Sequence, residues 1–192
     1  MSIVKNKIIY TNKTNRIPTA REVIKDIISF KINIILIGSE AGKIYGLCDS
    51  LKDIDFLANN STENTEKLFN YLKNFFDIHD INEFNKLDRI FLNTMDKPVE
   101  IFINPNFIGC NYDILKNNSH YITFYGSLVS LINIKDYIKY CVEYAISNNL
   151  SYTDKNSFFY PLSQEKINKY LSIMKQYNKL SLNLDQRYKD FV

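Results

Sequence analysis

The sequence predicts an α/β (α+β) fold: a small mixed β-sheet with flanking helices, followed by a helical C-terminal part. Three observations carry that expectation. The apolar run Ile34-Ile35-Leu36-Ile37 reads as a buried strand, ended by Gly38-Ser39. Apolar residues recur at helical spacing on both sides of it, at Val23, Ile24, Ile27, Ile28 and again at Leu68, Tyr71, Leu72, Phe75, Phe76. Two further runs, Arg89-Ile90-Phe91-Leu92-Asn93 and Val99-Glu100-Ile101-Phe102-Ile103, read as strands joined by a turn. Strands alternating with helices in this way build a covered sheet.

Residues 1–16 are polar and basic around Ile8-Ile9-Tyr10, and read as an arm or a short edge strand. Pro18, Thr19 and Glu22 then mark a helix start, because Thr-x-x-Glu is a capping box. After Gly38-Ser39 comes a short polar helix or loop, then a second strand, Asp53-Ile54-Asp55-Phe56-Leu57. Asn59 to Thr62 is a polar turn, and helix signals resume at Thr62 or Glu63. Thr94-Met95-Asp96-Lys97 is the hairpin turn between the two later strands. Asn104-Pro105-Asn106 breaks the sheet, and Asp113 to Asn117 reads as a short helical turn. Tyr121 to Tyr125 is the last expected strand, placed at an edge.

From Gly126-Ser127 onward the expectation is helical. Leu128, Leu131, Ile132 and later Tyr137, Ile138, Cys141, Val142 and Ala145 keep helical spacing. A polar loop over residues 148–161 and a last helix capped by Ser163 follow. The domain reading is therefore an α/β core over 1–126 and a helical region over 127–192 packed on it.

Composition narrows the function only a little. The chain has 192 residues, 45% hydrophobic and 23% charged, which suits an ordinary globular protein. A net charge of +3 tolerates a phosphate-bearing substrate without demanding nucleic acid. No apolar run approaches the length of a membrane span, and the N-terminus lacks a secretion pattern. Cys48, Cys110 and Cys141 are widely separated and form neither a disulfide framework nor a zinc spacing. The expected location is the cytoplasm, with reduced thiols and no membrane partner. Neither His79 nor His120 lies at ligand spacing from another histidine or a cysteine. The glycine signatures of a nucleophile elbow, a dinucleotide fold and a P-loop are all missing.

The chemistry concentrates between Ile34 and Leu57. Residues i and i+2 of a strand point to one face, so Asp53 and Asp55 stand side by side, opposite Ile54 and Phe56. Two such carboxylates repel unless a cation lies between them, and an oxygen-preferring divalent ion such as Mg2+ relieves the repulsion. Two solvent-facing acids on an edge strand would give the same pattern. Gly38 permits close approach of a ligand, and the Ser39 hydroxyl beside free N–H groups suits phosphate. Glu100 faces away from Val99 and Ile101; on a strand beside Asp53 and Asp55 it would join them. By itself it would be an outward-facing acid on a half-exposed strand.

This order resembles the nucleotidyltransferase superfamily, with its DNA polymerase beta-like fold. The shared pattern is a strand ending in Gly-Ser (Gly38-Ser39), a spacer, an acid-apolar-acid strand (Asp53-Ile54-Asp55) and a third acid on a later strand (Glu100). The spacer, with Ala41 and Tyr45-Gly46-Leu47, is most similar to the AbiEii-type and lincosamide-type small nucleotidyltransferases. The resemblance covers residues 34–103 well and the rest in outline.

The resemblance implies transfer of a nucleoside monophosphate from a nucleoside triphosphate such as ATP to an acceptor hydroxyl, by a two-metal mechanism. Asp53, Asp55 and Glu100 would be the catalytic, metal-holding residues for Mg2+ or Mn2+, with Glu100 also the candidate general base. Gly38, Ser39, Lys43, Lys52 and Lys135 would bind the nucleotide. Lys135 and Lys139 fall where the family carries a basic residue on the longer of two helices. The acceptor stays open between an antibiotic-like small molecule, a tRNA end and a protein. Three departures from the family bear on nucleotide affinity: Asp49 where a basic residue is common, Glu40 directly after Ser39, and Glu rather than Asp at 100. Lys43 and Lys52 are the residues expected to offset Glu40. The alternative is a catalytically inactive module of the same fold that binds a protein or nucleic-acid partner.

Overall fold

The structure, a computed structural model, describes residues 16–47, 53–73, 80–103 and 111–140. In chain order these form α1 (Ala20–Ser29), β1 (Ile34–Ile37), α2 (Gly38–Ile44), β2 (Ile54–Ala58), α3 (Thr62–Leu72), α4 (Ile81–Phe84), β3 (Arg89–Leu92), β4 (Val99–Phe102), α5 (Tyr112–Asn118), β5 (His120–Phe124) and β6 (Ser127–Leu131). A further helix, α6, occupies 134–140. The expected arm, Cys48, Asp49, Lys52, Phe75, Phe76, His79, the break at Asn104, Cys110 and everything from Cys141 lie outside the described residues.

One six-stranded mixed sheet, ordered β3-β4-β2-β1-β6-β5, forms the centre. The β2–β4 and β1–β6 pairs are parallel and the rest antiparallel. This is the mixed α/β architecture that the strand and helix periods predict. Register fixes which side chains share a face, since directly opposite residues point the same way. Ile37 lies opposite Asp55, Asp55 beside Glu100, and Glu100 opposite Phe91. Their alternates Leu36, Phe56, Ile101 and Ile90 occupy the other face, all within 1% of complete burial.

The helices start where the sequence says they should. Thr19 caps α1 with a complete capping box: its side chain accepts from the Glu22 N–H, and the Glu22 carboxylate accepts from the Thr19 N–H at 2.9 Å. Val23, Ile24 and Ile27 are buried beneath α1. Ser61 caps α3, and the buried Asn64 side chain ties that helix to the sheet. Asn64 Oδ1 accepts from the Asn33 N–H at 2.6 Å, and its Nδ2 donates to the Asn59 carbonyl at 2.7 Å. Both strand ends remote from Asp55 are thereby anchored.

The helical expectation from Ser127 is corrected. Ser127–Leu131 is strand β6, hydrogen-bonded between β1 and β5, and the next helix starts at 134. The expected strand Tyr121–Tyr125 overlaps edge strand β5, which is His120–Phe124, but it is not the last strand. Tyr125 and Gly126, with φ of 50° and 81°, form the two-residue hairpin turn that sends the chain back along β5. The expected division between 126 and 127 therefore falls inside that hairpin. No helix among the described residues is long and apolar enough to cross a membrane.

Candidate active site

Two short segments meet at the end of the sheet where β1 stops and the parallel pair β2–β4 begins. The Ile54 N–H donates to the Pro98 carbonyl at 2.8 Å, which extends the β2–β4 ladder to Asp53. Asp53 and Asp55 thus fall on one face, and Glu100 sits beside Asp55 in register. The three residues each offer a carboxylate oxygen, and these oxygens lie within 4.8 Å of one another. Asp53 and Asp55 are half-buried, whereas Glu100 is only 8% exposed.

Gly38 packs directly on this group. Its φ of +66° is left-handed, and a Cβ there would stand 1.9 Å from Asp55 Oδ2. Only glycine leaves room for the Asp55 carboxylate at this turn. Ser39 follows in the first turn of α2, and its Oγ is buried without a hydrogen-bond partner among the described residues. A buried hydroxyl without a partner carries a desolvation cost, which a ligand oxygen or a water would remove.

Glu40, flagged by sequence as an acid too near any phosphate, is neutralised. It is 6% exposed and ion-paired with Lys97 from the turn between β3 and β4. Arg89 on β3 pairs in the same manner with Glu100, Nη1 to Oε1 at 2.8 Å. Neither cation was singled out from sequence. The signal for both was the β3–β4 hairpin: once Leu92 pairs with Val99, Arg89 falls diagonal to Glu100, and Lys97 falls at the site end of the sheet.

The other predicted nucleotide ligands are less central. Lys43 is exposed in the last turn of α2, and Lys135 is exposed in α6, where its N–H donates to Asn133 Oδ1 at 2.9 Å. Lys139 is also exposed, and Lys52 lies outside the described residues. The structure therefore brings together Asp53, Asp55, Glu100, Gly38 and Ser39, with Arg89 and Lys97 as added cations. Lys43 and Lys135 form no ion pair among the described residues.

An all-carboxylate donor set selects a hard cation. Oxygens on opposite sides of one Mg2+ stand about 4.2 Å apart, so a spread of 4.8 Å needs only small side-chain closure. The residues present thus fit a divalent ion.

No family model matches the chain, and no curated protein matches it. Among solved structures, the chain is similar to the crystal structure of an antigenic nucleotidyltransferase-like protein from Paracoccidioides brasiliensis. The two share 14% sequence identity, with a TM-score of 0.46 over 81% of this chain and 73% of that one.

Proposed function

We propose that this chain is a metal-dependent nucleotidyltransferase that moves a nucleoside monophosphate from a nucleoside triphosphate to an acceptor hydroxyl. The observation that carries the reading is the convergence of Asp53, Asp55 and Glu100 against Gly38, whose chain neighbour Ser39 has a buried hydroxyl without a partner among the described residues. Acids alone would suit any cation. A glycine cradle and an unsatisfied buried hydroxyl beside them suit a phosphate chain reaching that cation.

In this reading Asp53, Asp55 and Glu100 hold Mg2+ or Mn2+. When bound, the ions polarise the phosphate oxygens and neutralise charge on the attacking and leaving groups. The chain's own residues do the positioning. Ser39 Oγ donates to a β- or γ-phosphate oxygen, and Gly38 keeps that approach free of side chain. Lys97 keeps Glu40 from repelling the phosphates, and Lys43, Lys52 and Lys135 supply further positive charge. The acceptor oxygen bonds to the α-phosphorus as the bond from that phosphorus to the bridging oxygen breaks, pyrophosphate leaves with the electron pair, and the acceptor's proton passes to the Glu100 carboxylate as candidate general base. Positioning and charge neutralisation supply most of the catalysis in such a transfer. Glu100, which accepts from Arg89 on Oε1, is in this reading both a metal ligand and the candidate general base for the acceptor hydroxyl. The finer assignment is a small nucleotidyltransferase of the AbiEii or lincosamide type, cytoplasmic, with a small molecule, RNA end or protein as acceptor.

The test is incubation with each of four α-labelled nucleoside triphosphates, Mg2+ and a cell extract. Label should pass to an acceptor with the parent and not with Asp55→Asn. Absence of transfer from every triphosphate, beside normal binding of a partner from the same extract, would favour an inactive binding module.

A further inference from the structure

We propose that Arg89 is a positioning residue for this site: its guanidinium fixes the Glu100 carboxylate against Asp53 and Asp55, so that the three acids can bind a divalent ion. The inference rests on the nucleotidyltransferase reading for its purpose and on separate geometry for its content. Phe91 lies opposite Glu100, so Arg89, two residues earlier on the same face, is its diagonal neighbour. That spacing is within reach of a long side chain. Arg89 Nη1 stands 2.8 Å from Glu100 Oε1. The arginine side chain is 33% exposed and the glutamate side chain 10%, and Arg89 reaches Glu100 from the edge strand β3.

The electrostatics call for such a residue. Three carboxylates gathered within 4.8 Å repel one another, and Glu100 is the most buried of them. Without a fixed cation its cheapest response is to rotate away, which removes a ligand. Guanidinium is always charged and presents a rigid planar fork, so it sets orientation as well as charge. A carboxylate offers about four acceptor sites, so accepting from Arg89 does not by itself bar Glu100 from a metal ion. Partners that orient ligating carboxylates in this way typically change metal affinity 10- to 100-fold when removed.

The experiment is calorimetric titration of Mn2+ into the full chain and into Arg89→Gln, Arg89→Lys and Asp55→Asn, with thermal melts of the same samples. We expect Arg89→Gln to bind Mn2+ about 10- to 100-fold more weakly than the parent. Arg89→Lys keeps charge but loses the fork and should fall between the two. Parent-like or tighter Mn2+ binding by folded Arg89→Gln, while Asp55→Asn loses binding, overturns the proposal and leaves the metal site standing. A lowered melting temperature with unchanged Mn2+ affinity also overturns it, because Arg89 would then be purely structural. If Asp55→Asn itself binds Mn2+ like the parent, the metal site fails and the proposal with it. Should Arg89→Gln not fold, Arg89→Lys decides: a several-fold loss supports positioning, and parent affinity overturns it.

Discussion

Gly38 and Asp55 are one structural unit, because the room that one lacks is filled by the other. Gly38→Ala meets two separate obstacles: a left-handed φ and a 1.9 Å overlap with Asp55 Oδ2. The backbone strain alone costs about 1–2 kcal/mol, and Asp55 must also leave its place. A urea melt should show that loss, and Mn2+ binding should weaken with it. Ser39→Ala behaves in the opposite way. Its Oγ has no partner to lose among the described residues, so stability should hold or rise slightly, while nucleoside triphosphate affinity falls by about 1 kcal/mol, roughly fivefold. Calorimetry of the triphosphate with parent and variant separates the two effects. Asp55→Asn keeps the shape and removes a charge from the centre of the acid group. Transfer activity should fall on the order of 100-fold or more, since electrostatic stabilisation is usually the largest catalytic contribution. The rise in melting temperature on adding Mn2+ should shrink as well.

The β3–β4 hairpin is the element that completes the site, and both of its added cations come from it. Glu40 and Lys97 have side chains only 8% and 16% exposed, so removing one partner leaves a poorly solvated charge. Lys97→Met should cost about 3 kcal/mol, and Lys97→Met combined with Glu40→Leu should recover most of it. Equilibrium unfolding of the single and double variants measures this directly. The same turn also holds α1. Asp96 Oδ1 accepts from the Ala20 N–H at 2.8 Å, which holds the Asp96 carboxyl below its usual range. A carboxyl lowered on folding gives stability that is present above its unfolded value of 3.8 and is lost as pH falls through the folded value. Acid melts below about pH 4 should therefore show a shallower loss for Asp96→Asn than for the parent.

These elements also show what sequence could and could not give. Strands 89–92 and 99–102 were legible because each is a short run of mostly β-branched and aromatic apolar residues and a turn of the right length separates them. The capping box at Thr19 and Glu22 was legible because it is local. Ser127–Leu131 was not: Leu128, Leu131 and Ile132 mimic a helical stripe, yet Leu128 is 61% exposed while Val129, Ser130 and Leu131 are all buried. Pairing with β1 and β5 decides that segment, and such tertiary contacts override a short periodic signal. Arg89 and Lys97 were hidden for a related reason, since their partners depend on a hairpin register that no single residue announces.

At the scale of the whole molecule, the sheet is fastened at one end and open to chemistry at the other. Asn64 closes the end where β1 begins and β2 stops, through hydrogen bonds to Asn33 and Asn59. At the other end β1 gives way to Gly38, and Asp53, Asp55 and Glu100 begin the parallel pair. Tyr45 at the close of α2 donates to the Ile132 carbonyl at 2.6 Å, and burial pushes its phenol up to about 12. That bond ties the glycine turn's helix to the far end of β6. Strand parity put Asp53 and Asp55 on one face in advance, whereas Glu100 joins them only through the β2–β4 register, which its own sequence does not announce. The most direct test is a crystal structure grown with Mn2+ and a non-hydrolysable nucleoside triphosphate, with anomalous scattering used to locate the metal. The account predicts Mn2+ bonded to carboxylate oxygens of Asp53, Asp55 and Glu100 at about 2.1 Å, with a phosphate oxygen against Ser39 Oγ. Mn2+ bound elsewhere, with these three carboxylates bare and the triphosphate remote from Ser39, would contradict it.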